Sequence, residues 1–315
     1  MDVREWLLDS DPSIRWQALR DLTDADEDEI AAERARVAHE GWGGRLLAAR
    51  DVDGQWAGGA CFPGPGRWTP GGPGQPWTST LHSLDLLRDF GLDPATDTAR
   101  TMTAQVRDHC RWEYDQSPFF AGEVEPCING RTVALGAYFG ADVQAVVDRL
   151  LTEQLEDGGW NCEAERGSVR SSFDTTLCVL EGLLAHEQAV GATEAAVEAR
   201  RRGEDYLLRR ALFQRLSTGE VVDPQYLTFA FPVRWHYDVL RALDYFRSAD
   251  DPPDPRLDEA LALVRSKQQS DGTWLLENTH PGAVHFTMED DGRPSRWNTL
   301  RALRVLRWVE QSDPL

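Results

Sequence analysis

Lysine is almost missing from this chain: Lys267 stands alone beside 32 arginines. Basic residues as a whole are scarce, 33 against 53 acidic ones, which leaves a formal net charge of −20. A field of that sign repels phosphate backbones and anionic bilayer surfaces, so no nucleic acid is expected among the partners. Long apolar runs are absent as well. No stretch approaches the roughly 18 residues that a membrane-crossing helix needs. The start, Met1-Asp2-Val3-Arg4-Glu5-Trp6, has neither the basic nor the apolar region of a signal peptide. We therefore expect no transmembrane segment and a cytoplasmic location.

Cysteine is sparse, and its spacing excludes a disulfide framework as the expectation. Cys61, Cys110, Cys127, Cys162 and Cys178 are odd in number and contain no C-x-x-C pair. They are expected to be thiols, two of them candidate metal ligands. Also missing are the G-x-G-x-x-G, Walker, G-x-S-x-G and H-E-x-x-H patterns, which disfavours nucleotide enzymes and the common hydrolases. Gly58-Gly59 and Gly71-Gly72-Pro73-Gly74 read as turn glycines, since no strand precedes them.

What is present is an ordinary globular balance, 41% hydrophobic and 27% charged over 315 residues, enough to bury a large core in one or two domains. Aromatic residues make up only 9%, yet twelve of them are tryptophan. Three tryptophans close the same local pattern: Arg50-x-x-Asp53-Gly54-x-Trp56, Gln154-x-x-Asp157-Gly158-x-Trp160 and Gln268-x-x-Asp271-Gly272-x-Trp274. Each follows a helical stretch, and Asp-Gly supplies a turn whose glycine adopts the positive φ that other residues resist. Each copy therefore reads as a helix exit.

A second pattern lies downstream. The segment from Pro12 to Leu22 matches that from Pro294 to Leu303 after a one-residue shift, so the two ends of the chain are related. Similar segments begin at Trp77, Gly130, Phe173 and His236. Aligning Ala18, Thr80, Val133, Thr176, Val239 and Thr299 gives six copies spaced by 62, 53, 43, 63 and 60 residues, near the period of stacked helical hairpins. These six helices are apolar around most of their circumference, as in Leu177, Val179, Leu180, Leu183 and Leu184, which marks burial on most sides. The intervening stretches Asp28 to Arg36, Glu194 to Leu208 and Asp258 to Ser266 carry charge at helical spacing and should face water.

An inner ring of six buried helices alternating with amphipathic outer ones predicts an all-α fold, an α/α toroid. One domain would span residues 1 to 315, with a short N-terminal helix, Val3 to Leu8 within the first ten residues, helping to close the ring. Glycine and proline gather where outer meets inner helix, in Gly58 to Pro76, Ser117 to Gly130, Val222 to Pro232 and Glu277 to Pro294. Such loops exceed the common connection of about 4 to 6 residues and usually carry function.

The Gln-x-x-Asp-Gly-x-Trp turns, each followed by a Ser/Thr-rich entry into a buried helix, resemble the QW repeats of squalene and hopene cyclases and the related repeats of protein prenyltransferase β-subunits. The closest stretch runs from Gly158 through Ser171-Ser172-Phe173-Asp174-Thr175-Thr176 to Leu183. The resemblance implies a central cavity at the N-terminal ends of the inner helices, holding an isoprenoid or other apolar small molecule. By repeat register it brings Trp16, Thr78, Arg131, Asp174, Tyr237 and Trp297 into one column, with Arg15, Trp77, Gly130, Phe173, His236 and Arg296 one position earlier. Aromatic residues Trp77, Trp235, Tyr237 and Trp297 would line an apolar chain, and Arg131, Arg234 and Arg296 would anchor an anionic head, helped by helix N-termini.

For chemistry, the Asp-x-Asp-Asp acid of class II terpenoid cyclases has no match at an inner-helix entry. Asp24-Ala25-Asp26-Glu27 lies in an exposed acidic run, and Met288-Glu289-Asp290-Asp291-Gly292 lacks the spacing. The zinc site of the prenyltransferases implies a different set: Cys127, Cys162, Asp174 and His236, thiolate, carboxylate and imidazole donors near three consecutive inner-helix entries. Their Asp-x-Cys ligand pair is not reproduced, since Thr175 and Thr176 follow Asp174. Buried structural cysteines and a capping Asp174 are the alternative reading of the same residues. The candidate catalytic residues are Asp174, His236 and Cys162, the candidate cofactor is zinc, and a prenyltransferase- or cyclase-like transferase, isomerase or lyase is the implied enzyme. Glu123, Glu125, His285 and Glu289 are loop candidates for acid or base work. A non-catalytic toroidal binding or scaffold module is the other class open to this sequence.

Overall fold

The computed structural model describes residues 2–69 and 74–312, and these are mostly helical. The turn glycines Gly71 and Gly72, with Pro73, lie outside the described residues. In chain order the helices are α1 (Val3–Leu8), α2 (Pro12–Leu22), α3 (Glu27–Arg36), α4 (Gly41–Ala48), α5 (Thr80–Phe90), α6 (Asp97–His109) and α7 (Pro126–Phe139). There follow α8 (Gln144–Thr152), α9 (Phe173–Val190), α10 (Glu194–Leu208), α11 (Val239–Ser248), α12 (Asp258–Ser266) and α13 (Arg296–Ser312). Among the described residues, strand is confined to β1 (Trp274–Leu275) and β2 (Pro294–Ser295), paired antiparallel with Trp274 opposite Ser295. No helix among them is long and apolar enough to cross a membrane.

The six segments expected to be buried helices are α2, α5, α7, α9, α11 and α13, and their burial has the expected character. Nearly every side chain of α5 from Thr80 to Leu87 is buried, as is the run from Asn129 to Gly136 in α7 and from Thr175 to Leu180 in α9. By contrast α3 buries nothing, and α12 buries only Ala260, Leu261 and Val264, one face of an amphipathic helix. Several boundaries differ from expectation, among them that of α5, which begins at Thr80 rather than Trp77. Pro126 opens α7 four residues before Gly130, because proline at the first position needs no N–H partner. In α11 the start slips to Val239, because Asp238 caps it by accepting from the Arg241 amide at 2.7 Å, leaving Arg234 to Tyr237 in the preceding loop.

The three tryptophan turns are identical in detail. Each indole N–H donates to the carbonyl ten residues upstream, Trp56 to Leu46 (2.8 Å), Trp160 to Leu150 (2.7 Å) and Trp274 to Val264 (2.8 Å). Each tryptophan backbone N–H donates in turn to a threonine hydroxyl of the next buried helix: Thr80 (3.2 Å), Thr176 (3.1 Å) and Thr299 (2.9 Å). Gly54, Gly158 and Gly272 sit at φ of 91°, 103° and 85°, where a β-carbon would be strained. The rings are fully buried. One residue thus ties the end of an amphipathic helix, through its indole, to the first turn of the following buried helix, through its backbone N–H.

The chain divides into two compact units. One comprises the segments up to Arg36, Tyr206–His280 and from Thr287 onward; the other comprises Val37–Asp205 and Pro281–Phe286. In the first, α13 packs against α11 and α2. Arg304 reaches from α13 to Gln17 (2.7 Å) and Asp21 (2.5 Å) of α2, so the two related ends of the chain lie side by side. Arg296 holds α1, donating to the Asp9 carbonyl (3.1 Å) with its guanidinium over the Trp6 ring. In the second unit α7 packs against α5 and, most intimately, α9. Gly130 and Gly182 allow that approach: a β-carbon on Gly182 would fall 2.3 Å from the Gly130 carbonyl oxygen.

Candidate functional site

The second unit brings two of the expected ligands into contact. Cys127 is the second residue of α7, behind Glu125 and Pro126. Cys162 opens a short 3-10 turn that Asn161 caps and that the Ser172 amide pins back to the Trp160 carbonyl (2.9 Å), at the entry to α9. Their sulfurs lie 2.8 Å apart. Glu125 Oε2 is 3.5 Å from the Cys127 sulfur, and the Thr175 hydroxyl is 3.3 Å from that of Cys162. By contact geometry alone Cys162 is the donor; the neighbours reverse this, because the Thr175 hydroxyl supports charge on Cys162 and the Glu125 carboxylate opposes it on Cys127, which keeps the shared proton on Cys127. Cys162 is therefore held below the ordinary thiol range, first by the hydrogen bond from Cys127, against the cost of burial. Cys127 is pushed up by the same hydrogen bond, then by burial.

Glu125, Cys127 and Cys162 offer donor atoms within 4.8 Å of one another, and among the described residues no other three His, Cys, Asp or Glu side chains come so close. Two thiols and a carboxylate suit Zn²⁺. Tetrahedral bonds of about 2.3 Å would hold two sulfurs about 3.8 Å apart, so the pair must open by about 1 Å to admit the ion. Asp174, the second residue of α9, lies outside this trio, and His236 belongs to the other unit. The other three thiols are buried and in no disulfide; burial pushes Cys110 up to about 12 and Cys61 higher still.

Elsewhere in this unit the expected anchor Arg131 lies in the second turn of α7, buried, its guanidinium 2.6 Å from the equally buried Asp85. Trp77 donates to the Pro281 carbonyl (3.0 Å) and stands edge-on to His82. His285 Nε2 lies 3.0 Å from the Ser83 hydroxyl, which also reaches the Ser79 carbonyl of its own helix at 2.9 Å.

In the first unit, the loop before α11 carries the other expected residues. His236 stacks between Trp235 and His280, with ring centroids 3.7 Å away on each side. Trp235 is 37% exposed, whereas Arg234 is buried and holds a positive φ of 56°. Arg241 donates to the His236 carbonyl at 2.5 Å. Burial, then the charges of His236, Arg234 and Arg241, lower the His280 pKa to about 3. Tyr237 donates to the Leu212 carbonyl (2.6 Å), and Trp297 stacks on Phe231 at 4.2 Å. Glu289, a loop acid in the sequence, caps α13 by accepting from the Arg296 amide and Ser295 hydroxyl, both at 2.6 Å. Sequence reasoning did not pick out His280, Asp85 or Thr175, because nothing in their local spacing marks them.

Compared with known proteins, the chain matches no family model and no curated sequence.

Proposed function

We propose that this protein is an α/α-toroid enzyme of the terpenoid cyclase and prenyltransferase type, acting on an isoprenoid or other apolar small molecule held at the N-terminal ends of its buried helices. The observation that carries this reading is the tryptophan turn locked onto a threonine of the next helix, repeated three times with one hydrogen-bond pattern. The pairing of α2 with α13, which brings the first and last copies together, supports a closed ring. Fold alone does not choose a reaction.

The chemistry is drawn from each unit separately. Cys162, with Asp174 at the same helix entry, is the reactive end of the second unit. In the first, the stacked Trp235 and His236, with Arg234 beside them, are the groups suited to an apolar ligand with an anionic head. If zinc binds, Cys127, Cys162 and Glu125 would hold it, and the ion would supply Lewis acidity to a substrate thiol or water. A non-catalytic binding module is the second reading. It is favoured by the commitment of Arg131 to Asp85 and of Tyr237 to a backbone carbonyl, which leaves fewer groups for a ligand.

Titration with farnesyl diphosphate, followed by tryptophan fluorescence, tests the choice. Saturable quenching that weakens at least about tenfold in Arg234→Gln would support the enzyme reading. No binding of this diphosphate or of neutral farnesol would sink it and leave the module. Metal analysis of protein purified without added zinc reads the zinc site independently.

A further inference from the structure

Cys127 and Cys162 differ from the other three thiols in being partly accessible and in touching each other, at 2.8 Å. Their hydrogen-bond surroundings are also unequal. The Ser172 hydroxyl donates to Thr175 Oγ1 (2.9 Å), so Thr175 spends its own proton on the Cys162 sulfur at 3.3 Å. A hydroxyl donor therefore faces the Cys162 sulfur. On the other side, a carboxylate oxygen, Glu125 Oε2, lies 3.5 Å from the Cys127 sulfur. One sulfur is prepared to attack and its neighbour to follow.

We propose that Cys162 and Cys127 form a peroxide-reactive dithiol, with Cys162 the attacking and Cys127 the resolving thiol. The Cys162 sulfur attacks one oxygen of a hydroperoxide. The S–O bond forms as the O–O bond breaks, and the departing hydroxide leaves as water with the proton of the Cys162 thiol. Cys127 then gives its proton to the sulfenic oxygen and attacks the Cys162 sulfur; the S–S bond forms, the S–O bond breaks and a second water leaves. Two thiols and one hydrogen peroxide become one disulfide and two waters, the sulfurs losing the two electrons that the peroxide gains. The bond would tie the first turn of α7 to the turn ahead of α9 and withdraw both sulfurs from any metal. This inference rests on the contact between the thiols and is independent of the isoprenoid reading.

The test uses the full-length protein, with and without prior chelation, treated with a few equivalents of hydrogen peroxide and examined by intact mass and non-reducing peptide mapping. The expected result is loss of the mass of two hydrogens, a single Cys127–Cys162 cross-linked peptide pair reversed by dithiothreitol, and oxidation at least about tenfold faster than at Cys61, Cys110 or Cys178. In Cys127→Ser, dimedone should trap a sulfenic acid on Cys162, while Cys162→Ser should give no adduct on Cys127. The proposal is overturned if no Cys127–Cys162 cross-link forms in either the native or the chelated protein, if the buried thiols oxidise at the same rate, or if dimedone marks Cys127 instead. The wild-type map decides by itself should either variant fail to fold.

Discussion

A single threonine hydroxyl per repeat does more for this architecture than its size suggests. Thr80, Thr176 and Thr299 each receive the backbone N–H of a fully buried tryptophan, a donor with no water within reach. Valine has the same shape but no acceptor, so Thr176→Val leaves the Trp160 amide unpaired, a change that costs about 1–3 kcal/mol. Urea unfolding should show that loss for Thr176→Val and a similar one for Thr299→Val; a variant as stable as the parent would mean the amide finds another acceptor. These residues were legible because the tryptophan pattern and the threonine column both recur. Arg131 shows the opposite case. Its position in the register column suggested a ligand anchor, yet its charge is met by Asp85, 46 residues earlier and on another helix. A partner at that separation has no local signature. Of the four residues expected as metal ligands, Cys127 and Cys162 lie in contact, as their places at neighbouring helix entries suggested, whereas Asp174 lies outside that group, since one step along a helix turns a side chain by about 100°.

At the scale of elements, the alternation of buried and amphipathic helices was readable, with starts off by three or four residues at α5, α7 and α11, because circumferential apolarity and charge at helical spacing are properties of single segments. The closeness of α7 and α9 was not. It depends on Gly130 and Gly182, which read as ordinary small residues until the two helices are brought together. A methyl group on Gly182 would press on a backbone carbonyl, which no rotamer change relieves, so the helices must separate. Gly182→Ala should therefore destabilise the protein by at least about 1–3 kcal/mol, the usual cost of overpacking, despite the better helix propensity of alanine. The check is thermal unfolding of Gly182→Ala beside an alanine replacement at Gly167, where a β-carbon meets nothing within 4 Å but φ is 92°. If the Gly182 variant were the more stable of the two, close packing would not be what holds α7 to α9. Because Cys127 lies in the first turn of α7 and Cys162 precedes α9, the same separation should also slow cross-linking of the two thiols.

For the molecule as a whole, the net charge of −20 is the broadest fact in the sequence, and the structure gives it internal contrast. The surface is acidic, yet the loop ahead of α11 gathers Arg234 and Arg241 around two stacked imidazoles. There His280 is kept neutral, first by burial and then by positive neighbours, with its pKa lowered from 6.5 to about 3. The sign of the consequence follows from proton counting. Between those two values the unfolded chain takes up a proton that the native state refuses, so this group makes stability fall as pH drops below about 6.5, and the loss continues until the native imidazole itself protonates. Asp238 acts in the opposite sense: burial raises its pKa, so the native state is protonated first on acidification. The contribution of His280 is therefore read as a difference. The stability of the parent minus that of His280→Gln, from urea midpoints, should decline steadily from pH 7.5 to pH 4.5, while histidine NMR shows the His280 ring still neutral at pH 5. A difference that stays flat across that range, or a His280 resonance that titrates near its unperturbed pKa of about 6.5, would show that His280 is not the buried imidazole flanked by positive charge described, and would weaken the case for an anionic head beside it.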